Sequence, residues 1–505
     1  YDGRLVTITG QVLEMGDVRK RPIRIAWKCM VGNCGMLSFT TPDPFEDENK
    51  KPDECSICQA GNSDSTIKAS FVQDGAPNTT FITYQRLMAR QTDTQMTTPP
   101  QMLMELRGLQ VFSVNQGEDV AMTGIFRTVS DPRSGNKMER IPLLFVTDVR
   151  TTSRDSVVEV TEVEESALRA WKEEHDFEEI IEMMTRATAP RVIGHRAAKQ
   201  ALILQAVGGY AGLSDGKRKF IHLLFMGDPG TAKTELKKFA LSIHPASKEA
   251  TGARTSIVGL IGGKSENQRL LGSSTTTLSP GMLALIPDGA IAAVDELHAL
   301  GDPRIFSMLN DAMESGVVSV QMQMKGTIRT PTPVLGLANP MRGDNTKFDL
   351  TSGEPLLDQS GLPVSFASRF DVIICFLDRV DEARDEAIIN GMLNSVNNTL
   401  NNPNAVFPIT DGYNKYLQLS RQVAPQDQPL SEDAVKKISK IFIKARQGSA
   451  GGATVNFRWG AALARLACAA ARLDLSSQVQ TRHVDFAHKV LSESLTTTDP
   501  DMVVE

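Results

Sequence analysis

Residues 227–234 have the types and spacing needed to bind phosphate groups. They read Gly-Asp-Pro-Gly-Thr-Ala-Lys-Thr and follow a mostly apolar run at residues 221–226. Glycines let backbone N–H groups converge on phosphate oxygens, and the positive end of a following helix adds to that field. Lys233 can reach the β- and γ-phosphates, and the hydroxyl of Thr234 can bind Mg²⁺. The predicted phosphate-binding residues are Gly227, Asp228, Pro229, Gly230, Thr231, Ala232, Lys233 and Thr234.

One position departs from the usual form of this loop. The common pattern has a glycine directly before the lysine, whereas this chain has Ala232. The alternative interpretation is a strand, a turn and a helix with an exposed lysine. We favour phosphate binding because the strand, the glycines, Lys233 and Thr234 all occur in the expected order.

Two later apolar segments end in polar residues. Residues 290–294 are apolar and are followed by Asp295 and Glu296. Carboxylates at the end of a buried strand are costly unless a cation or water uses them, so Asp295 is predicted to bind Mg²⁺ through water and Glu296 to polarise an attacking water. Asn339 ends a second apolar segment and is predicted to position the γ-phosphate or that water. The alternatives are a solvated strand end and an amide that caps a turn.

Arg369 is a further candidate, within the segment Phe-Ala-Ser-Arg-Phe-Asp at residues 366–371. A guanidinium supplied across a subunit boundary can neutralise charge that develops on the γ-phosphate. The alternative is a surface ion pair with Asp371. The residues alone leave open whether Arg369 acts on its own chain or on a neighbour.

Four cysteines form two closely spaced pairs near the start of the chain. Cys29 and Cys34 are separated by four residues, and Cys55 and Cys58 by two. Four thiolates can close a tetrahedral Zn²⁺ site, and a site with no open position is structural, not catalytic. The alternatives are free thiols or two disulfides.

Two polar turns between apolar strands are candidate DNA contacts. Residues 128–140 present Arg133 and Lys137 at the turn, with Arg127 and Arg140 at the base. Residues 317–329 form a second strand-turn-strand pattern that presents Lys325 and Arg329. One lysine per subunit, repeated around a ring of subunits, forms a circle of positive charge that can contact a phosphate backbone. The alternative is a pair of solvated hairpin tips.

These residues lie in segments of different character. Residues 1–150 have short β-type apolar runs, with the cysteine cluster at 29–58 as an insertion; 151–190 form a linker and a helix; 191–400 alternate helices with apolar strands, which predicts an α/β domain; and 401–505 are helical. The net charge is −6, so DNA contacts must come from local basic loops. Six cysteines in 505 residues and no apolar run of membrane-spanning length indicate an intracellular protein with no membrane partner.

Together these motifs resemble those of the minichromosome maintenance (MCM) replicative helicases. The alanine before the lysine is typical of the MCM form of the phosphate loop. The similar segments are Ile193-Gly194-His195, residues 227–234, Asp295-Glu296, Asp311-Ala312-Met313-Glu314, Ala338-Asn339-Pro340 and Ser368-Arg369-Phe370-Asp371.

The resemblance implies a multidomain chain: an OB-fold with a zinc ribbon, then an AAA+ ATPase domain with a small helical lid. It implies ATP, Mg²⁺ and structural Zn²⁺ as cofactors, and homo-hexameric rings, single or double, that unwind duplex DNA and contact single-stranded DNA and replication factors. Arg369 would be an arginine finger from a neighbour, and Arg458 would match the family's second sensor arginine. Residues 255–277 resemble the family's helix-2 insert. The compartment would be the cytoplasm or nucleoid in an archaeon and the nucleus in a eukaryote.

Some residues depart from the family pattern. Leu297-His298-Ala299 stands where the family commonly has Phe and Asp-Lys after the acidic pair. The N-terminal helical bundle and C-terminal winged helix of the family are not evident in the sequence. Two other functions stay open: an AAA+ remodeller or loader that acts on protein, and a DNA-binding ring scaffold whose ATP site only stabilises the ring.

Overall fold

The chain divides into two compact units in a computed structural model. The first comprises Tyr1–Ser153 and Lys264–Pro280, and the second Arg154–Gly263 and Gly281–Glu505. Within this span the structure describes all residues except 1, 44–49, 62–66, 76–77, 92–99, 115, 132–137, 152–159, 211–217, 245, 265–277, 288, 301, 321–325, 331, 342–346, 350–353, 379–385, 387–388, 391–405, 425–428, 449–456 and 494–505.

The first unit is a β-barrel with a small cysteine-bearing extension. Its strands are β1 (Leu5–Met15), β2 (Arg19–Cys29), β3 (Leu37–Thr40), β4 (Phe71–Asp74), β5 (Thr80–Arg90), β6 (Gln101–Arg107), β7 (Asp119–Ser130) and β8 (Arg140–Thr151). Pairing runs β1-β7-β8-β6-β5, and β5 returns to β1, so five strands close on themselves. Only the β6–β8 pair of this ring is parallel. β3 and β4 both pair with β2 and carry the extension.

A close backbone approach fixes one bend of the barrel. The register between β7 and β8 shifts at Gly124, where a Cβ atom would lie 2.3 Å from the carbonyl oxygen of Phe145. Only glycine fits such a bulge. Alternate residues of the strands then fill the barrel interior, with Val12, Leu87 and Met104 fully or almost fully buried.

The second unit contains a five-stranded parallel sheet flanked by helices. Its first elements are α1 (Glu162–Glu173), α2 (Phe177–Ala187), α3 (Arg196–Val207), β9 (Leu223–Gly227), α4 (Lys233–Ser242), β10 (Lys248–Thr251), α5 (Ile257–Leu260), β11 (Gly262–Lys264), α6 (Met282–Leu285), β13 (Ala292–Asp295) and α7 (Pro303–Ser315). β12 (Leu278–Pro280) and the last residue of β11 belong to the first unit. The later elements are β14 (Val317–Val320), β15 (Gly326–Arg329), β16 (Val334–Ala338), α8 (Leu356–Gln359), α9 (Val364–Ala367), β17 (Val372–Phe376), α10 (Gly412–Gln422), α11 (Glu432–Gly448), α12 (Phe457–Leu473) and α13 (Thr481–Ser492). Short 3₁₀ turns lie at Gly108–Phe112, Gly252–Arg254 and Leu297–Ala299.

The order of the parallel sheet is β10-β13-β16-β9-β17. All residues of β9 and β16 are buried, as expected for central strands covered on both faces. Local sequence sets several helix ends: Thr161 with Glu164 and Asp176 with Glu179 form capping boxes at the starts of α1 and α2. Gly316, with φ of +64°, ends α7 in the left-handed conformation.

The predicted fold class is confirmed. A β-domain with a cysteine cluster precedes an α/β domain, and helices α10 to α13 follow it. In the part of the chain that the structure describes, no helix combines the length and apolarity needed to cross a bilayer.

Candidate nucleotide site and cysteine cluster

The predicted nucleotide residues meet at one edge of the parallel sheet. The glycine-rich loop leaves the carboxyl end of β9, Asp295 ends β13, and Asn339 directly follows β16. β16 lies between the other two strands, with Ala338 opposite Met226 and Gly336 opposite Val294. Because carboxyl ends of parallel strands share an edge, residues more than a hundred positions apart in sequence converge.

The loop turns sharply into α4. Gly230 has φ of +81°, and Ala232 has φ of +66° at the position before the lysine. The left-handed conformation costs a residue with a Cβ about 1 kcal/mol or more, which explains why the common pattern has glycine at this point. Ala232 is the smallest side chain that carries that cost.

Lys233 folds back over the loop. Its Nζ donates to the carbonyl oxygens of Gly227, at 2.8 Å, and Asp228, at 2.6 Å, and to the hydroxyl of Thr231 at 3.3 Å. Burial lowers the pKa of Lys233 to about 8, against the opposing charges of Asp228, Cys375 and Asp295. The ammonium is therefore centred on the loop, whereas the side chain of Thr234 is exposed at the start of α4.

Asp228 has a second role that the motif does not reveal. Its carboxylate accepts hydrogen bonds from the backbone N–H groups of Phe348 and Asp378, each at 2.8 Å. The side chain is buried, and it thereby ties the phosphate loop to the segments that follow β16 and β17.

Asp295 is held by a lysine that sequence analysis did not single out. Lys237 Nζ lies 2.5 Å from Asp295 Oδ2 and 3.3 Å from Glu249 Oε2, while Asp295 Oδ1 accepts from the backbone N–H of Glu296 at 2.9 Å. Burial lowers the pKa of Lys237, but the two carboxylates raise it by more, so the pKa lies above its ordinary value. Asp295 is thus already paired with a cation of its own chain.

His298 joins the acidic pair to Asn339. Its Nδ1 accepts the backbone N–H of Asn339 at 3.3 Å. Burial lowers the pKa of His298, while Glu296 and Asp295 oppose that shift, so the ring is neutral near pH 7. Glu296 itself has φ of +51°, a strained backbone at the end of β13 that is common where side chains must be aimed.

Arg369 and Arg458 share one acidic partner, Glu314 at the end of α7. Arg369 Nη1 forms an ion pair with Glu314 Oε2, and Arg458 Nη2 lies 3.7 Å from Glu314 Oε1. Arg458 also donates to the hydroxyl of Ser368 at 2.9 Å. The structure therefore brings the two predicted arginines together, although 90 positions separate Arg458 from Ser368.

Asp371 does not pair with Arg369. Its carboxylate is buried and is bound by Arg218 and Arg465, each at 2.5 Å. Burial alone would raise the pKa of Asp371, but the two guanidinium groups lower it by more, so the pKa is about 2. The alternative of a surface ion pair between Arg369 and Asp371 is therefore wrong. Asp371 instead belongs to a buried cluster that anchors α12 to the start of β17.

The arginine pair and the phosphate loop lie at opposite edges of the sheet. Arg369 precedes β17 by three positions, at the amino edge, whereas the loop leaves the carboxyl end of β9. The two strands are parallel neighbours, with Val372 opposite Leu223 and Phe376 opposite Gly227. The four steps from Val372 to Phe376 span about 13 Å of parallel strand, more than an arginine side chain can bridge.

The four cysteine thiols converge in the first unit. Their sulfur atoms all lie within 4.8 Å of one another, with 3.7 Å between Cys29 and Cys58 and 3.8 Å between Cys34 and Cys55. A tetrahedron with Zn–S bonds of 2.3 Å has edges of about 3.8 Å, so the donor set fits zinc. Backbone N–H groups of Cys58 and Ile57 lower the pKa of Cys55 to about 6, which favours a thiolate at that position.

Comparison with known proteins finds three family models that match successive segments of the chain. Its sequence matches the family model of the MCM OB domain over residues 1–130, that of the MCM P-loop domain over 166–396 and that of the MCM AAA-lid domain over 412–495. The chain belongs to the MCM family. The resemblance drawn from the motifs is confirmed, and the P-loop match supports nucleotide and Mg²⁺ as ligands of this MCM chain.

Individual MCM relatives align along almost the whole chain. It is 28% identical to the DNA replication licensing factor MCM7 of Arabidopsis thaliana over 97% of its length and covers 68% of that protein. It is 25% identical to the DNA replication licensing factor MCM4 of Oryza sativa subsp. japonica over 97% of its length, covering 58% of that protein. It is also 25% identical to the minichromosome maintenance protein MCM of Saccharolobus solfataricus over 99%, covering 71% of that protein. The chain thus spans between 58% and 71% of these relatives.

The predicted DNA-contacting residues of this MCM chain are only partly described. Arg133, Lys137 and Lys325 lie outside the described residues. The second hairpin is present as β14 and β15, and Arg329 is exposed at its base, opposite Val317. At the base of the first hairpin, Arg140 donates to the carbonyl oxygen of Thr128 at 2.6 Å.

The functional residues that the motifs missed are those whose partners are distant in sequence. Lys237 carried a usable signal, because it follows Lys233 by four positions and therefore shares its helix face. Glu314 lay within a motif similar to the MCM pattern, but nothing in the sequence pairs it with Arg369 and Arg458. Arg465 could not be linked to Asp371 without the packing of α12.

Proposed function

We propose that this chain is a subunit of an ATP-driven, hexameric DNA helicase that translocates along DNA and separates duplex strands during replication. The observation that carries the proposal is the placement of Lys233 and Arg369 at opposite edges of one sheet. A subunit built in this way lacks a complete hydrolytic site, whereas a ring of copies can set the arginines of one subunit against the loop of the next.

The residues of the loop side have distinct tasks in this mechanism. The backbone of residues 227–232 and the ammonium of Lys233 bind the β- and γ-phosphates. Glu296 accepts a proton from the attacking water, and Asn339 orients that water or the γ-phosphate. Mg²⁺, when bound, neutralises phosphate charge, and Asp295 with Thr234 would hold it. The carboxylate fits this role, since it already lies against the ammonium of Lys237.

The neighbouring subunit supplies positive charge. Arg369 stabilises the negative charge that develops as the γ-phosphate leaves, and Arg458 is positioned beside it through Glu314 and Ser368. Both side chains must leave or share Glu314 to reach a phosphate, so we propose that subunit contact and nucleotide binding are coupled at this acid.

DNA is the proposed substrate of the movement. The OB domain and the β14–β15 hairpin are the elements we assign to it, with Arg133, Lys137, Lys325 and Arg329 as contacts. Single-stranded DNA in the channel, duplex DNA at its entrance and replication factors outside it are the proposed partners. The curated relatives named as DNA replication licensing factors support this assignment over a remodeller of proteins.

A mixing experiment tests the composite site. Lys233→Ala and Arg369→Ala should each lower ATP turnover by about 100-fold or more as single-variant assemblies, because one removes phosphate binding and the other charge stabilisation. Mixed in equal amounts, they should recover about a quarter of normal turnover, because about one interface in four pairs an intact loop with an intact arginine. Arg304→Ala, which removes an exposed arginine of α7, is the matched control.

The same assemblies distinguish the alternative functions. A helicase should show DNA-stimulated phosphate release and ATP-dependent strand separation, and six copies per ring by mass photometry or negative-stain microscopy. Stimulation by an unfolded protein and not by DNA would indicate a remodeller, and ring formation without turnover would indicate a scaffold. Mixtures that stay as inactive as the single variants would contradict the site shared between subunits.

A further inference from the structure

Two of the three lysines of α4 are buried, and phosphate binding explains only the first of them. Lys233 and Lys237 are four positions apart, so both lie on one face of the helix, and both are buried. Removing an ammonium group from water costs free energy. An apolar residue would therefore be at least as stable as a lysine that is buried at this position without a role. Lys238, the next residue, is exposed and pairs with Glu235 on the same helix.

The ammonium of Lys237 occupies a specific position against the metal-binding carboxylate. It lies 2.5 Å from Asp295 Oδ2, and its second partner is Glu249 on β10, the strand that pairs with β13. The other oxygen, Asp295 Oδ1, is already bound by the N–H of Glu296. Both carboxylate oxygens are therefore engaged by the chain itself.

We propose that Lys237 is a built-in counter-cation of Asp295, which keeps free divalent cations off this carboxylate so that Mg²⁺ enters together with the nucleotide. This inference rests on the proposed function, since it assigns a positioning residue to the same site. A divalent ion that binds without nucleotide gains a single carboxylate ligand, whose charge is already neutralised by Lys237. An ion that arrives bound to ATP brings the anionic phosphate groups as further ligands. Lys237 also fixes the rotamer of Asp295 before the nucleotide binds.

Divalent-ion binding without nucleotide tests the proposal directly. Mn²⁺, measured by electron paramagnetic resonance, should bind Lys237→Met at least about tenfold more tightly than the unaltered chain, because the carboxylate loses its competing cation. Lys238→Met removes the same charge from the next position and should leave Mn²⁺ binding as it was. Lys237→Arg keeps the charge and should restore weak binding.

A second readout uses the nucleotide. Mg²⁺ should strengthen the binding of a fluorescent ADP analogue by a larger factor in Lys237→Met than in the unaltered chain, with EDTA as the metal-free reference. Thermal melting checks folding, and Lys237→Gln replaces Lys237→Met if the latter does not fold. Equal Mn²⁺ affinity in the folded variants and the unaltered chain would overturn the proposal. Tighter Mn²⁺ binding together with absent DNA-stimulated ATPase would instead overturn the helicase function alone.

Discussion

His222 shows how a single buried side chain organises the amino edge of the sheet. Its Nδ1 accepts the backbone N–H of Val334 at 2.9 Å, so the ring proton is on Nε2, which donates to the carbonyl oxygen of Met313 at 3.1 Å. Burial and the charge of Arg218 hold the pKa of His222 well below its ordinary value, while Asp371 opposes this shift. The folded protein therefore keeps the imidazole neutral.

This arrangement predicts a dependence of stability on pH. The unfolded chain protonates His222 below about pH 6.5 and the folded chain does not, so the free energy of unfolding should fall by up to about 1.4 kcal/mol per pH unit as pH decreases from there. Chemical denaturation between pH 8.5 and 5.5 should show that the free energy of unfolding depends less steeply on pH in His222→Gln than in the unaltered chain. Above pH 7.5 the two slopes should coincide, and equal slopes at pH 6 would contradict the prediction.

At the residue scale, local motifs predicted the phosphate loop and the acidic pair, because their chemistry is set by residues that are neighbours in sequence. Lys233, Asp295 and Asn339 were placed at one sheet edge by the rule that parallel strands share it, and they do lie there. The partners of those residues were not predicted. Lys237, Glu314 and the buried role of Asp228 depend on how α4, α7 and the segments after β16 and β17 pack, which no local pattern specifies.

At the scale of elements, the turn after β10 limits where Glu296 can lie. Gly252 begins a 3₁₀ turn, and a Cβ atom there would lie 2.1 Å from the carbonyl oxygen of Glu296. Because that neighbour is backbone, it can move only by displacing the end of β13. The proposed catalytic base is thus positioned by a glycine on a neighbouring element.

Gly252→Ala should consequently impair both stability and turnover. We expect a loss of about 1–3 kcal/mol in the free energy of unfolding, typical of overpacking, and a fall in ATP turnover that exceeds the loss of folded protein. Gly259→Ala is the control, since its added Cβ meets only the hydroxyl of Ser256 at 3.4 Å. Normal ATP turnover in a folded Gly252→Ala variant would show that the position of Glu296 does not depend on this contact.

Element types were more predictable than their contacts. Alternation of apolar residues and turn signals predicted the β-rich first domain, the α/β domain and the helical end of the chain. The β14–β15 hairpin was expected from its strand-turn-strand pattern, and its register is regular. Closure of β5 onto β1 was not foreseeable from the residues alone, since it depends on strand tilt and a bulge between Val12 and Glu14.

At the scale of the whole molecule, the first unit carries a small extension built around its cysteine cluster. The extension around β3 and β4 has a small core of Ile25, Trp27 and Phe71 beside the thiols. Such a core is too small to be stable alone, so metal binding should supply much of its folding free energy.

We therefore predict one zinc ion per chain and a clear loss of stability when it is removed. Chelation or Cys55→Ser should abolish the bound zinc, measured by inductively coupled plasma mass spectrometry. A loss of about 3 kcal/mol would lower the melting temperature of this unit by about 6–12 °C. Cys375→Ala, outside the cluster, should retain the metal. An unaltered melting curve in a zinc-free protein would refute the structural role.

The two edges of the parallel sheet also restrict how copies can associate. In the proposed arrangement one edge accepts an arginine pair and the opposite edge donates one, so the contact joins unlike edges of two copies. When copies associate head to tail, an open row has an unused loop at one end and an unused arginine pair at the other. Closure of the row removes both defects at once. The direction of the strands in a single sheet thus favours a closed ring of subunits over an open row.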